Sequence, residues 1–199
     1  MKNRLLSFLA LLTMAANTLA QGTFQYDQQS YPVPLPPNIG VDIQSNTPIG
    51  ESFVPSLSAV GFVQLEPFDG HPNNGLGATL YVNLRSDSMT GPILGSSVPV
   101  FIPETPSGGG VTNFLFSSPI AVVPGTTYFF EVEVQSGDLW TLNVIGNFYP
   151  SGTAYWQGNP QPGFDLWFRE GVIVPEPSAT WLSLLGGGVC FYVRRRTVG

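Results

Sequence analysis

The chain has 199 residues, with 13 Asp and Glu against 7 Lys and Arg, a formal charge of −6. Gly and Pro are abundant at 23 and 19, yet 43% of the residues are hydrophobic and 13% aromatic, which is too apolar for an acidic disordered chain. A lone cysteine, Cys190, excludes a disulfide framework, and a lone histidine, His71, excludes a multi-histidine metal centre.

The bases lie almost entirely at the ends. Lys2 and Arg4 open the chain, and Arg194, Arg195 and Arg196 stand near its close. Between them only Arg85 and Arg169 face the thirteen acids. Such a body cannot neutralise a row of phosphates, so no nucleic acid is expected as a partner.

Residues 1–20 read as a signal peptide. Lys2 and Arg4 form the charged region, Leu5 to Met14 the apolar one, and Thr18-Leu19-Ala20 a cleavage site before Gln21. The alternative is an uncleaved anchor, but the apolar stretch is short for the roughly 30 Å of a bilayer core. Residues 21–50 form a proline-rich leader. Tyr31 to Pro37 favours polyproline geometry, as a leader strand or an arm lying along the domain.

Residues 51–173 read as one β-domain. Runs expected as strands are 58–66, 78–85, 92–101, 111–117, 120–123, 127–134, 139–145, 153–157 and 164–170. Turn signals such as Asp69-Gly70, Pro124-Gly125 and Ser136-Gly137-Asp138 separate them. The spacing predicts a sandwich or barrel of eight or nine strands. Period-2 alternation puts Leu80, Val82 and Leu84 on one side of their strand, and Tyr128, Phe130, Val132 and Val134 on one side of theirs. Phe114 and Phe116 form a third inward pair.

Several residues could carry chemistry. Glu131 and Glu133 share a strand face, which suits a two-carboxylate glycosidase or, more simply, a solvated strand protected against edge pairing. No cofactor is expected beyond a structural calcium. Its candidate oxygen donors are Glu66, Asp69 and Asn73, with Asn74 beside them and Asp165 and Glu170 if the sheet brings them near. His71 lies in that loop, and exposure is its simplest reading. Trp140, Trp156, Trp167, Tyr149 and Tyr155 gather in the last third, where they can stack on sugar rings or fill a core. Alternation sets Asp165, Trp167 and Arg169 on one face, a candidate ligand face or a buried ion pair with packing.

Residues 174–199 have three parts: Val174-Pro175-Glu176-Pro177, an apolar run from Ala179 to Val193, and the arginine cluster. At about 1.5 Å per residue the run reaches roughly 22 Å as a helix, short for a permanent anchor. Gly186-Gly187-Gly188 weakens it further. Cys190 sits inside it as a small apolar filler or a lipidation point. The arginines would stay on the cytoplasmic side as a stop-transfer signal.

This order of motif, transmembrane segment and basic cluster resembles the PEP-CTERM sorting signal. The resemblance implies export across the inner membrane of a Gram-negative bacterium, membrane anchoring before processing, and cutting by an exosortase-type sorting protease. The body resembles the bacterial "choice-of-anchor" jelly-roll surface module, similar to galactose-binding-like modules. The residues that carry this likeness are Ser52-Phe53, Gly77 to Arg85, Gly95-Ser96, Val123 to Phe130, Tyr149 to Tyr155 and Asp165 to Arg169. It implies a jelly roll but no known ligand, since the family has no agreed catalytic residues to carry over.

The expectation is an all-β, jelly-roll-like antiparallel β-sandwich flanked by a signal helix and a transmembrane helix. It would be a non-enzymatic structural or adhesive protein of the cell surface or extracellular polysaccharide. A carbohydrate-binding module with an aromatic site is the alternative, and a polysaccharide hydrolase the third reading.

Overall fold

The computed structural model describes residues 22–34, 39–104 and 110–175. They form an all-β structure of antiparallel sheets, and no helix occurs among them. The signal segment, Glu176, Pro177, Cys190 and the three terminal arginines lie outside the described residues. No helix among the described residues is long and apolar enough to cross a membrane.

The chain divides into two compact units, Met1–Phe24 with Ile173–Gly199, and Gln25–Val172. In the first, the described residues are the outer ends of two strands. In chain order the strands are β1 (Thr23–Gln29), β2 (Ile39–Asp42), β3 (Ile49–Phe53), β4 (Ala59–Leu65), β5 (Pro67–Asp69), β6 (Ala78–Ser86), β7 (Ile93–Ser96) and β8 (Val100–Ile102). Then follow β9 (Thr112–Ala121), β10 (Tyr128–Gly137), β11 (Trp140–Gly146), β12 (Ala154–Trp156), β13 (Asn159–Gln161), β14 (Phe164–Leu166) and β15 (Phe168–Val174).

The largest sheet runs β13-β12-β3-β10-β6-β7, with β8 also paired to β6. A second runs β1-β15-β4-β9, and a third β14-β11-β2 with β5 on β11. The second and third share two chain segments. The chain passes from β4 to β5 through Glu66, and from β14 to β15 through Trp167. At those crossing points Asn143 N–H donates to Glu66 O at 3.2 Å, and Trp167 N–H donates to Asn143 O at 2.9 Å.

Alternation explains the core. Leu80, Val82 and Leu84 of β6 are fully buried, as are Phe130 and Val132 of β10. The register sets Phe130 beside Leu84 and Val132 beside Val82. Phe114 and Phe116 of β9 point the same way, while Leu115 between them is exposed. Val63, Leu65, Leu142, Val144, Leu166 and Phe168 join from the other two sheets, so all three sheets share one apolar cluster. The Phe168 ring lies 5.3 Å from Phe130 and 6.5 Å from Phe53.

Residues 21–50, expected as a leader strand or an arm, supply β1, β2 and the first two residues of β3. All five residues of β3 are buried, and it lies between β10 and β12. Runs 111–117 and 120–123 are one strand, β9, because a register shift between Val60 and Phe62 of its partner β4 carries the pairing past Ser117-Ser118. Conversely, run 164–170 breaks at Trp167, where the chain changes sheets.

Candidate functional site

The predicted ligand face is not a face. Asp165 has no exposed surface and Trp167 only 1%, because Trp167 sits at the strand break and not within a continuous alternation. Its indole N–H donates to Val33 O at 2.9 Å, and the guanidinium of Arg169 packs 5.1 Å from its ring and 5.1 Å from that of Tyr26. Arg169 also donates to Pro32 O. Ser30 and Phe168 exchange backbone and side-chain bonds on the same seam. Trp167 and Arg169 therefore fasten the Ser30–Val33 segment to the fold.

Asp165 has a different partner, one that alternation could not reveal. Its Oδ2 accepts the N–H groups of Phe148 and Tyr149 at 2.6 and 2.7 Å. Its Oδ1 is buried without a donor, and so is Oε1 of Glu51, a residue with no exposed surface. Glu51 lies on the inner side of β3, in register with Phe130. Its Oε2 accepts the N–H of Leu166 at 2.8 Å. Burial foremost, then the charge of Asp165, holds the Glu51 carboxyl well above its usual range, although the Leu166 N–H opposes this. Burial also raises Asp165, against the pull of the Tyr149 and Phe148 amides and of Glu51. Two like charges cannot share so enclosed a site. Burial therefore favours a proton on this pair, with Glu51 the more strongly raised of the two, and the Leu166 N–H bond to Glu51 ties β3 to β14.

A second pair lies on β15 and β1. Glu170 has no exposed surface, and neither of its oxygens accepts a hydrogen bond of ordinary geometry. Burial, then the adjacent Asp27 carboxylate, pushes it up to about 9. Burial works against ionised Asp27 as well. Donors from the Ser56 side chain and the Leu57 and Ser56 amides overcome it and lower that carboxyl. Glu170 therefore carries the proton and Asp27 the charge. Tyr149 joins the two regions. Its hydroxyl accepts Val54 N–H at 3.0 Å and donates to Gln28 at 3.2 Å.

Glu131 is buried, Glu133 is half-buried, and neither is on an edge strand. They lie on the outer side of β10, between β3 and β6, and Glu131 is 5% exposed. Arg85 donates to Glu131 from Nε at 2.8 Å and Nη2 at 2.6 Å. Asn83 bridges both carboxylates, and the Tyr81 hydroxyl donates to Glu133 at 2.6 Å. That bond, ahead of burial and the two nearby charges, pushes the Tyr81 phenol up to about 12. Buried Met89 covers Gly50 on this side, where a Cβ would also meet Phe130 O at 1.8 Å. Glu131 and Glu133 are both engaged by protein donors.

Two of the three calcium candidates are engaged by protein donors. Glu66 accepts from Asn143 at 2.8 Å, Asp69 accepts the His71 N–H at 2.8 Å, and exposed Asn73 adopts a left-handed φ of 72°. Among the described residues no group of three or more His, Cys, Asp or Glu is placed to hold a metal ion. The aromatics divide in two. Trp140 and Tyr149 are in the core, whereas Tyr155 and Trp156 are half-buried. Trp156 meets the partly exposed Phe164 edge-on at 5.7 Å. Val174 and Pro175, the first residues of the tail motif, are exposed where β15 ends.

No family model matches the chain, and no curated protein does either.

Proposed function

We propose that this is an exported, non-enzymatic protein whose body is a jelly-roll-like β-sandwich and whose tail is a PEP-CTERM-type sorting signal. One observation carries the reading: the Val174-Pro175-Glu176-Pro177 motif begins where the last strand ends, and its first residue is 43% exposed. A processing enzyme needs an extended, accessible chain at its cut site. The body role is structural or adhesive at the cell surface or in extracellular polysaccharide. In support, Trp167, Asp165 and Arg169 are all occupied in holding the fold. The exosortase-type protease is the expected partner, with the membrane engaged until processing. Intact mass of the surface or secreted fraction tests this. The mature chain should start near Gln21 and end near Pro177, and a product that keeps residues 178–199 would leave a plain anchor instead.

One observation favours carbohydrate binding as a second reading. The Trp156–Phe164 pair is partly exposed, and the amide side chains of Asn159 and Gln161 belong to the adjoining strand. Flat rings beside amides suit a sugar. Binding on a glycan array that disappears in Trp156→Ala would support it. Absence of binding would remove it. A polysaccharide hydrolase is the weakest reading, since Glu131 and Glu133 are each held by internal donors, and an inert protein on a polysaccharide panel would exclude it.

A further inference from the structure

The loop between β5 and β6 holds Asn74-Gly75, and three hydrogen bonds converge on that dipeptide. Gly75 N–H donates to Glu104 Oε2 at 2.8 Å. Leu76 N–H donates to Asn74 Oδ1 at 2.8 Å. The Asn74 amide nitrogen donates to Asp138 Oδ2. Glu104 Oε1 is enclosed without a partner, so this carboxylate is committed to Gly75 alone among the described donors. Asp138 Oδ1 in turn lies 3.6 Å from His71 Nδ1. Gly75 has φ of 78°, and a Cβ built there would meet nothing within 4 Å. The Gly75 backbone is therefore open on the side where a Cβ would stand.

Each contact meets one requirement of acyl transfer. A nucleophilic nitrogen needs a base on its proton, and Glu104 is in hydrogen-bond reach of that proton. The carbonyl under attack needs a donor on its oxygen, which Leu76 N–H supplies. The nucleophile must be held against the carbonyl, and the Leu76–Asn74 bond folds the side chain back over its own backbone. Asp138 orients the leaving nitrogen.

We propose that Asn74-Gly75 is a self-modifying site at which the fold turns the Asn74 amide into a carboxylate through a cyclic imide, with Glu104 as general base. The Gly75 nitrogen bonds to Asn74 Cγ, and the Cγ–Nδ2 bond breaks. The proton that Glu104 removes from Gly75 reaches the departing nitrogen through solvent, so ammonia leaves and a five-membered succinimide remains. Water then opens the ring at either carbonyl. The products are aspartate or isoaspartate at position 74, and no oxidant or cofactor takes part. The new carboxylate stands between Asp138 and Glu104, and the Asn74–Asp138 hydrogen bond is lost. Like charges at hydrogen-bond separation repel. The loop thereby loses its ties to the β10–β11 turn and to the end of β8, and it does so at a rate fixed by the fold.

The test is to incubate the purified full chain in neutral buffer, natively and in concentrated urea, and to follow residue 74 by peptide mass spectrometry with isoaspartate-specific methylation. Native conversion should run faster than in urea and yield isoaspartate. Glu104→Gln should slow the native reaction about tenfold or more, the range over which a positioned base acts. It should also restore the hydroxide dependence of the unfolded chain. A native rate equal to or below the urea rate would overturn the proposal, and so would an unchanged rate in Glu104→Gln or a product free of isoaspartate. The urea comparison needs no variant, so it decides the matter even if Glu104→Gln fails to fold.

Discussion

The buried carboxyls set an unusual direction for stability against pH. Burial and the Asp27 carboxylate push Glu170 up to about 9 in the folded chain, against an ordinary 4.5. Between those values the folded state holds a proton that the unfolded state has released. Stability is therefore full below the lower value and falls as pH rises toward the higher one. At about 1.4 kcal/mol per pH unit for one group, raising the pH from 5 to 8 removes on the order of 4 kcal/mol. Glu51 acts in the same direction, since its carboxyl is also raised and no part of it is exposed. Asp27 acts oppositely. Its depressed carboxyl contributes above its unfolded value of 3.8 and loses that contribution as pH falls through its lower folded value. The optimum should then lie in mild acid, just above the ordinary carboxylate range. Equilibrium urea unfolding at pH 5, 6, 7 and 8 measures this directly. Unfolding free energy should decline with each step. Glu170→Gln keeps a donor toward Asp27 and needs no proton, so it should flatten the decline and raise stability at pH 8. Stability that is level or increasing from pH 5 to 8 would refute the assignment of the protons.

Three further outcomes follow from the packing. Arg85→Ala leaves Glu131 buried without its cation and should cost about 3–5 kcal/mol in urea unfolding, far more than an exposed ion pair would. Trp167→Phe keeps a six-membered ring but deletes the indole bond to Val33. Because the five-membered ring of this buried side chain is lost as well, it should cost about 2–3 kcal/mol, and it should speed amide exchange between Ser30 and Val33 while β10 stays protected. Phe130→Ala opens a cavity against Phe53 and Phe168 and should cost about 3–5 kcal/mol, whereas Phe101→Ala, at a side chain 65% exposed, should stay within about 0.5 kcal/mol by thermal melting.

The strands that could be read from the sequence are those whose two sides differ in polarity. In β6, Leu80, Val82 and Leu84 alternate with Thr79, Tyr81 and Asn83, and the structure buries the first set fully. Strand β3 had no such contrast. Ile49-Gly50-Glu51-Ser52-Phe53 places a carboxyl on the core side and two small residues on the other, so it reads as a loop. Glu51 is tolerated there only because Leu166 N–H and Asp165 meet it from β14, more than a hundred residues away in the chain. Sequence spacing carries no trace of so distant a partner.

The same distance explains why Asp165 and Trp167 pack into the fold instead of sharing one face with Arg169. Alternation from Phe164 to Glu170 assumes one unbroken strand, which would bring Asp165, Trp167 and Arg169 to one side. The chain instead leaves β11 after Leu166 and takes up β4 at Phe168, since Leu166 pairs with Val144 and Phe168 with Leu65. Trp167, caught between the two registers, gives its own N–H to Asn143 and its indole to Val33. That break sets Asp165 toward Glu51 and Glu170 toward Asp27, one on either side of the strand change. Glu51 and Asp165 thus meet between two sheets, on strands β3 and β14 that no backbone ladder connects, whereas Glu170 and Asp27 face each other within one sheet, on the neighbouring strands β15 and β1. A mutation that restored a continuous strand through Trp167 would have to abandon one of those two pairs.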